Sequence, residues 1–319
     1  MSDGSRTERV VQVDDLHVRF GDARAVDGVT LDVAPGEVLA LVGESGSGKT
    51  TLIRAIQGLQ QVSSGTVTFG DDDGSARRRK RMRRDVQMVF QDPTGALNPR
   101  QTVFEIVAEG LRIRRDRGNE TERVAEALAR AGLRPPERFM GLYPHEISGG
   151  QRQRVVIAGA MALDPVLLLA DEPVASLDAS IRGEILALMR SLVDDAGLSI
   201  IAVTHDLGLA WNIADRIAVM YLGRIVELGH AEEVLADPQH PYTRALLSVV
   251  PEMDRMEQQI LTGETPDPAR IPTGCRFHPR CPLVASGEAE RLGIIDRCIG
   301  EDPALVRHAT HDVACHAVG

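Results

Sequence analysis

Gly43-Glu44-Ser45-Gly46-Ser47-Gly48-Lys49-Thr50 decides how this chain folds. The octet fits G-x-x-x-x-G-K-[ST], and its flanks are the ones that spacing requires, a strand before and a helix after. Val38-Leu39-Ala40-Leu41-Val42 reads as a buried strand, led in by the turn Ala34-Pro35-Gly36-Glu37, and Thr50 to Leu59 reads as a helix. The glycines let backbone N–H groups turn inward around phosphates, and the helix N-terminus adds partial positive charge there. Lys49 reaches the outer phosphates, and the Thr50 hydroxyl, with Thr51 beside it, is placed to ligate Mg²⁺.

Outward from the octet, Val11, Val13, Leu16 and Val18 are spaced for extended structure, and Val29-Thr30-Leu31-Asp32-Val33 alternates with period two. A weaker strand, Thr66–Phe69, follows the first helix. Residues 102–134 read as helical, with turns at Gly118-Asn119 and Arg134-Pro135-Pro136. A helix follows Gly150, strands cover 166–170 and 199–203, and a helix spans about 180–195. Strand–helix alternation around apolar strands indicates a parallel α/β sheet. Residues 92–150 lack that alternation and read as an inserted helical subdomain. From about residue 237 proline becomes frequent and cysteine appears, so 237–319 reads as a separate extension with little regular structure after a domain at 1–236.

The 319 residues carry a net charge of −10, which argues against a general nucleic-acid binder. Arg77–Arg84 has seven Lys or Arg in eight positions, but no aromatic is interleaved, and it reads as a solvated surface run. The longest apolar stretches are far shorter than the roughly 20 residues a bilayer span needs. The first residues lack a signal peptide's apolar core, so a cytoplasmic chain is expected.

Val166-Leu167-Leu168-Leu169-Ala170 delivers Asp171 and Glu172 to a strand end. Asp171 suits Mg²⁺, directly or through water, and Glu172, a step further out, suits polarising an attacking water. Ser148 followed by Gln151 has capping-box spacing, so residues 149–163 are expected to form a helix. Gly149 and Gly150 leave its start bare, as an anion needs.

The order Gly43–Thr50, Gln91, Ile147-Ser148-Gly149-Gly150-Gln151, Asp171-Glu172, Ser176-Leu177-Asp178, His205 resembles the ATPase subunits of ABC transporters over roughly residues 10–235. The resemblance implies a P-loop NTPase core with an antiparallel β subdomain and a helical subdomain. It implies that Phe20 stacks on adenine, though a core Phe on a strand remains open. Gln91 then touches Mg²⁺ and the attacking water, joining Thr50 and Asp171 at the metal. Asp178 crosses a dimer interface, and His205 hydrogen-bonds the γ-phosphate. Ser148, Gly149, Gly150 and Gln151 take the γ-phosphate of ATP held by a second ATPase subunit, a copy or a related chain.

His240-Pro241-Tyr242-Thr243-Arg244-Ala245-Leu246-Leu247 resembles a motif of the oligopeptide/dipeptide importers, a branch that includes nickel importers. Asn98-Pro99-Arg100 and Tyr143-Pro144-His145-Glu146 flank the region expected to receive a short helix from a membrane-spanning subunit. The resemblance implies two permease subunits, an extracytoplasmic binding protein as an indirect partner, and a place at the cytoplasmic face of the membrane. Nickel or glutathione import, and a soluble non-transport ATPase, stay open. Cys275, Cys281, Cys298 and Cys315 are spaced C-x₅-C-x₁₆-C-x₁₆-C. Related tails imply a [4Fe–4S] cluster. Zn²⁺, with His278, His308, His311 or His316 in play, and unmetallated thiols are the alternatives.

Overall fold

The computed structural model describes residues 9–70, 85–116, 118–205, 207–250, 261 and 263–318. The basic run Arg77–Arg84 lies outside them. The strands are β1 Val11–Phe20, β2 Ala23–Val33, β3 Val38–Val42, β4 Ser64–Thr68, β5 Val86–Val89, β6 Leu167–Asp171, β7 Ser199–Thr204, β8 Arg216–Tyr221, β9 Arg224–His230, β10 Val306–His308 and β11 His311–Val313. Four helices matter most for function: α1 Lys49–Gln57, α2 Gly149–Met161, α3 Ala179–Ala196 and α4 Pro241–Leu247. The chain divides into two compact units, one of Met1–Val10, Val33–Glu37 and Phe69–Ala202, the other of Val11–Asp32, Val38–Thr68 and Val203–Gly319.

In the first unit β5 and β6 run parallel, with Val86 opposite Leu167 and Val89 opposite Ala170, and β7 lies beside β6. Leu167, Leu168, Leu169 and Ala170 are wholly buried, as a strand covered on both faces demands. Each buried leucine contributes about 1.5–3 kcal/mol. Between β5 and β6 all the regular structure described is helical. Thr102 caps Val103–Ile113 through a reciprocal box with Glu105, and this helix and Glu120–Arg130 pack on α2.

The second unit holds a three-stranded sheet ordered β2-β1-β4, with β1 and β4 antiparallel. Val11 and Val13, then Leu16 and Val18, point inward; a register shift between Asp14 and His17 separates the two pairs. Its second sheet portion is ordered β3-β8-β9-β11-β10. β3 pairs parallel with β8, Leu39 opposite Arg216 and Val42 opposite Val219, and all five β3 residues are buried.

The extension departs from the expectation of little regular structure. It supplies α4, the short helices Pro282–Ala285, Glu288–Arg291 and Ile295–Gly300, and the β10–β11 hairpin, whose Val313 sits opposite Glu227 of β9. Its prolines are part of the reason: Pro241 and Pro282 occupy helix starts, where a missing N–H costs nothing. Tyr242 and Phe277 join Tyr221, Val42 and Val219 in one core. The Tyr221–Tyr242 ring centroids are 4.7 Å apart and the Tyr221–Phe277 pair is edge-on at 5.2 Å.

Candidate nucleotide site

In the second unit β3 runs straight into the glycine octet, and α1 leaves it. Gly43 has φ +154° and Gly48 φ +106°. A methyl at Gly43 would strike the Met220 carbonyl oxygen, and one at Gly48 the Ala25 carbonyl oxygen. Close backbone approach therefore demands glycine at both positions. The buried Lys49 ammonium donates to the carbonyls of Gly43 at 2.7 Å and Glu44 at 2.8 Å, and to Ser47 Oγ at 3.3 Å. The Gly223 N–H donates to the Ser47 carbonyl at 2.9 Å, tying the loop to the β8–β9 turn. Ser45 and Gly46 are exposed at the loop tip, and Thr50 and Thr51 lie half-buried in the first turn of α1. Phe20 ends β1 with its ring 50% exposed, at the surface rather than in the core. His205 follows β7 at an exposed position.

The first unit carries the carboxylates. Asp171 is the buried last residue of β6. Glu172, next along, adopts φ +46°. A non-glycine residue held there costs about 1–3 kcal/mol, and such strain collects at functional sites. Gln91, two residues past β5, donates its Nε2 to Glu172 Oε2 at 3.0 Å. The fold thus joins two candidates that are 81 residues apart in sequence.

Ser148 and Gln151 form the reciprocal box: Gln151 N–H donates to Ser148 Oγ at 3.3 Å and Ser148 N–H to Gln151 Oε1 at 2.9 Å. The helix ends at Met161 rather than 163. The two bare glycines have different reasons. A Cβ at Gly150 would sit 2.7 Å from Ile181 Cγ2, so α3 leaves no room for one; at Gly149 the nearest atom is 3.9 Å away. Asp178 holds N-cap backbone geometry for α3, yet its exposed carboxylate makes no cap bond.

Sequence reasoning missed a third group. Tyr242, Thr265 and Arg280, all from the extension, converge on Glu44. Arg276 pairs with Asp27 and donates to the Leu222 carbonyl at 2.5 Å. Burial opposes ionisation of Asp27, but hydrogen bonds and charge from Arg276 outweigh it and hold the carboxyl at about 2. The signal available was Tyr242, inside a motif already singled out. Arg280 directly precedes Cys281, where only the cysteine drew notice.

The cysteine tail lends no support to the iron–sulfur expectation. Burial is the main cause that pushes the Cys275 thiol up to about 12 and Cys315 up to about 11, and it raises Cys281 and Cys298 too. The neighbouring cysteines add to the rise at Cys275, so the four lie within electrostatic reach of one another. Among the described residues, however, no three His, Cys, Asp or Glu side chains are arranged to hold a metal ion. His278 bonds the Cys275 carbonyl at 2.9 Å, His311 the Glu227 carboxylate at 2.7 Å and His316 the Glu301 carbonyl at 2.8 Å. Cys298 is buried and the other three are half-buried, and without a metal all four stay protonated.

Residues 26–175 match the ABC transporter family, and residues 226–287 match the oligopeptide/dipeptide transporter C-terminal region. The chain is 42% identical over 313 residues to the oligopeptide transport ATP-binding protein AppF of Bacillus subtilis, covering 93% of this chain and 91% of that protein. Among solved structures, cbiO1 from Clostridium perfringens, part of the ABC transporter complex cbiONQ, aligns with a TM-score of 0.65 and 31% identity, over 72% of this chain and 92% of that one. A dimeric ATP-binding cassette in a post-hydrolysis state with ADP and phosphate aligns at 0.59 and 31% identity, over 69% and 98%.

Proposed function

This chain belongs to the ATP-binding subunits of the ABC transporters, and we propose that it powers a membrane importer of di- or oligopeptides by hydrolysing ATP. The peptide assignment is supported by the match at 226–287 and by AppF. The observation that carries the hydrolytic assignment is the Gln91–Glu172 hydrogen bond of 3.0 Å, made by a glutamate held at φ +46°.

In this reading Lys49 and the N–H groups from Gly43 to Thr50 bind the phosphates of ATP, with Phe20 against adenine. Thr50, Gln91 and Asp171 each carry an oxygen donor of the kind Mg²⁺ takes, and they would hold the ion. Bound there, the metal neutralises charge on the outer phosphates. Glu172 accepts a proton from the attacking water, Gln91 fixes that carboxylate, and His205 donates to the γ-phosphate. Positioning and charge neutralisation supply the rate.

The capped start of α2, bare at Gly149, receives the γ-phosphate held by a second ATPase subunit, and Asp178 reaches across the same interface. Among the described residues no helix is long and apolar enough to cross a membrane. In this reading, which rests on the similarity to oligopeptide transport ATP-binding proteins, two permease subunits supply the path, an extracytoplasmic binding protein delivers substrate to them, and this chain sits at the cytoplasmic face. Affinity purification from solubilised membranes tests the assembly: permease subunits are expected with the chain, and their absence, with the chain recovered alone, contradicts it.

The iron–sulfur assignment of Cys275, Cys281, Cys298 and Cys315 rests on the resemblance. Iron and sulfide analysis of anaerobically purified protein tests it. Stoichiometric zinc without iron, or neither metal, rejects it.

A further inference from the structure

The octet holds one acidic residue, Glu44, and the extension has taken hold of it. Arg280 Nη1 donates to Glu44 Oε2 at 2.7 Å and Nη2 to Oε1 at 3.0 Å, a bidentate pair. Thr265 Oγ1 donates to Oε2 at 3.0 Å. The Glu44 N–H donates to the Tyr242 hydroxyl at 2.8 Å. The Glu44 carbonyl in turn accepts from Lys49 Nζ at 2.8 Å and from Ser47 N–H at 3.2 Å. The backbone donor, the backbone acceptor and both carboxylate oxygens of one loop residue are thus engaged, three of these four by side chains 198 to 236 residues away.

The clamp is itself rigid. Arg280 is buried, and its guanidinium lies 5.9 Å from the centre of the Tyr221 ring. Tyr221 and Tyr242 pack on each other and on Phe277. Burial opposes ionisation of Glu44, but Arg280 overcomes it and keeps the carboxyl below its ordinary range. The pairing serves a phosphate loop in two ways. It cancels a negative charge that would repel the incoming anion. It also fixes the peptide units on either side of Glu44, both of which anchor Lys49 through their carbonyls.

We propose that Arg280, with Tyr242, is a positioning residue for ATP binding: the C-terminal extension clamps Glu44 and so holds the Gly43–Thr50 loop and Lys49 in their phosphate-receiving shape. This rests on the ATP-binding reading of the octet. An ion pair that merely pinned the extension down would affect stability and leave nucleotide affinity alone.

Titration of the full-length protein with a fluorescent ATP analogue and Mg²⁺, beside steady-state ATPase kinetics and unfolding curves, separates the two. Arg280→Ala is expected to weaken binding about tenfold and raise KM in step, with kcat at saturating ATP within about twofold. Arg280→Lys, which keeps charge and one hydrogen bond, recovers part of the loss. Tyr242→Phe removes only the hydroxyl and weakens binding about threefold. Combining Glu44→Gln with Arg280→Ala adds little to Arg280→Ala alone, because both break one contact. Arg297→Ala, in an exposed pair with Glu301 on the same extension, leaves affinity unchanged. A folded Arg280→Ala protein with wild-type affinity overturns the proposal, as does a fall in kcat at constant KM. If Arg280→Ala does not fold, Tyr242→Phe decides: unchanged affinity overturns the clamp. Wild-type protein that fails to bind the analogue overturns instead the ATP reading beneath it.

Discussion

Gln91 donates its side-chain amide to the Glu172 carboxylate at 3.0 Å, and Glu172 holds a left-handed backbone to receive it. A carboxylate so fixed is placed to act as the base for water. Glu172→Gln keeps shape and volume but cannot take a proton. Its turnover should fall at least about a hundredfold with ATP affinity retained. Phosphate release and nucleotide titration on one preparation check this, and near-normal turnover would remove Glu172 from the role.

The two signature glycines should fail in opposite ways. Gly149→Asp has room inside the subunit but sets a carboxylate where the partner's phosphate is due. The protein should fold and bind ATP, and ATPase activity of the dimer should fall at least about tenfold. Gly150→Ala drives a methyl towards Ile181 Cγ2 and should cost about 1–3 kcal/mol of stability. Denaturant unfolding and ATPase assays on both variants separate interface from packing.

His240 makes stability depend on pH. Burial, with a smaller contribution from Arg244, holds its imidazole at about 3, far below the ordinary 6.5, and its Nδ1 accepts the Tyr242 N–H at 3.0 Å. Below pH 6.5 the unfolded chain takes up a proton that the folded chain refuses down to about 3. Stability present above 6.5 is therefore lost as pH falls, at up to about 1.4 kcal/mol per unit. Asp27 adds its own loss only below 3.8, on the way to about 2. Urea unfolding at pH 7 and 5.5 should show the slope, and His240→Asn, which keeps a cap acceptor, should flatten it.

Glu227, wholly buried, accepts the N–H groups of Gln239 at 2.6 Å and His240 at 3.1 Å and the His311 ring at 2.7 Å. It ties β9, the start of α4 and the β10–β11 hairpin together. Glu227→Ala strands three donors, those of His240 and His311 buried and that of Gln239 half-buried, and should cost about 3–5 kcal/mol. Limited proteolysis should then cut first after about residue 236, and an uncut extension would contradict this role.

What could be read from the chain was local. The buried run into Gly43, the Ser148–Gln151 box and the leucine strand ending at Asp171 each follow from periodicity or short-range spacing. The left-handed backbone of Glu172 could not be read, because nothing in its neighbours demands it. Nor could the need for Gly150, which comes from Ile181 on another helix. The extension was the largest gap: prolines that start helices looked like breakers, and Arg280's partner lies 236 residues upstream. The four cysteines suggested metal from their number alone, and their half-buried to buried positions, with raised thiol pKa values, could not be read from spacing.

The central claim, an ATP-driven subunit of a peptide importer, is tested most directly by transport. The complex purified through this chain is placed in proteoliposomes with ATP at the face this subunit occupies, and uptake of a labelled oligopeptide is measured with wild-type and Glu172→Gln protein. The account predicts ATP-dependent uptake by the wild type, competed by unlabelled peptide but not by nickel or glutathione, and none by the variant. Full ATPase activity with no peptide uptake, or uptake undiminished in Glu172→Gln, would contradict it.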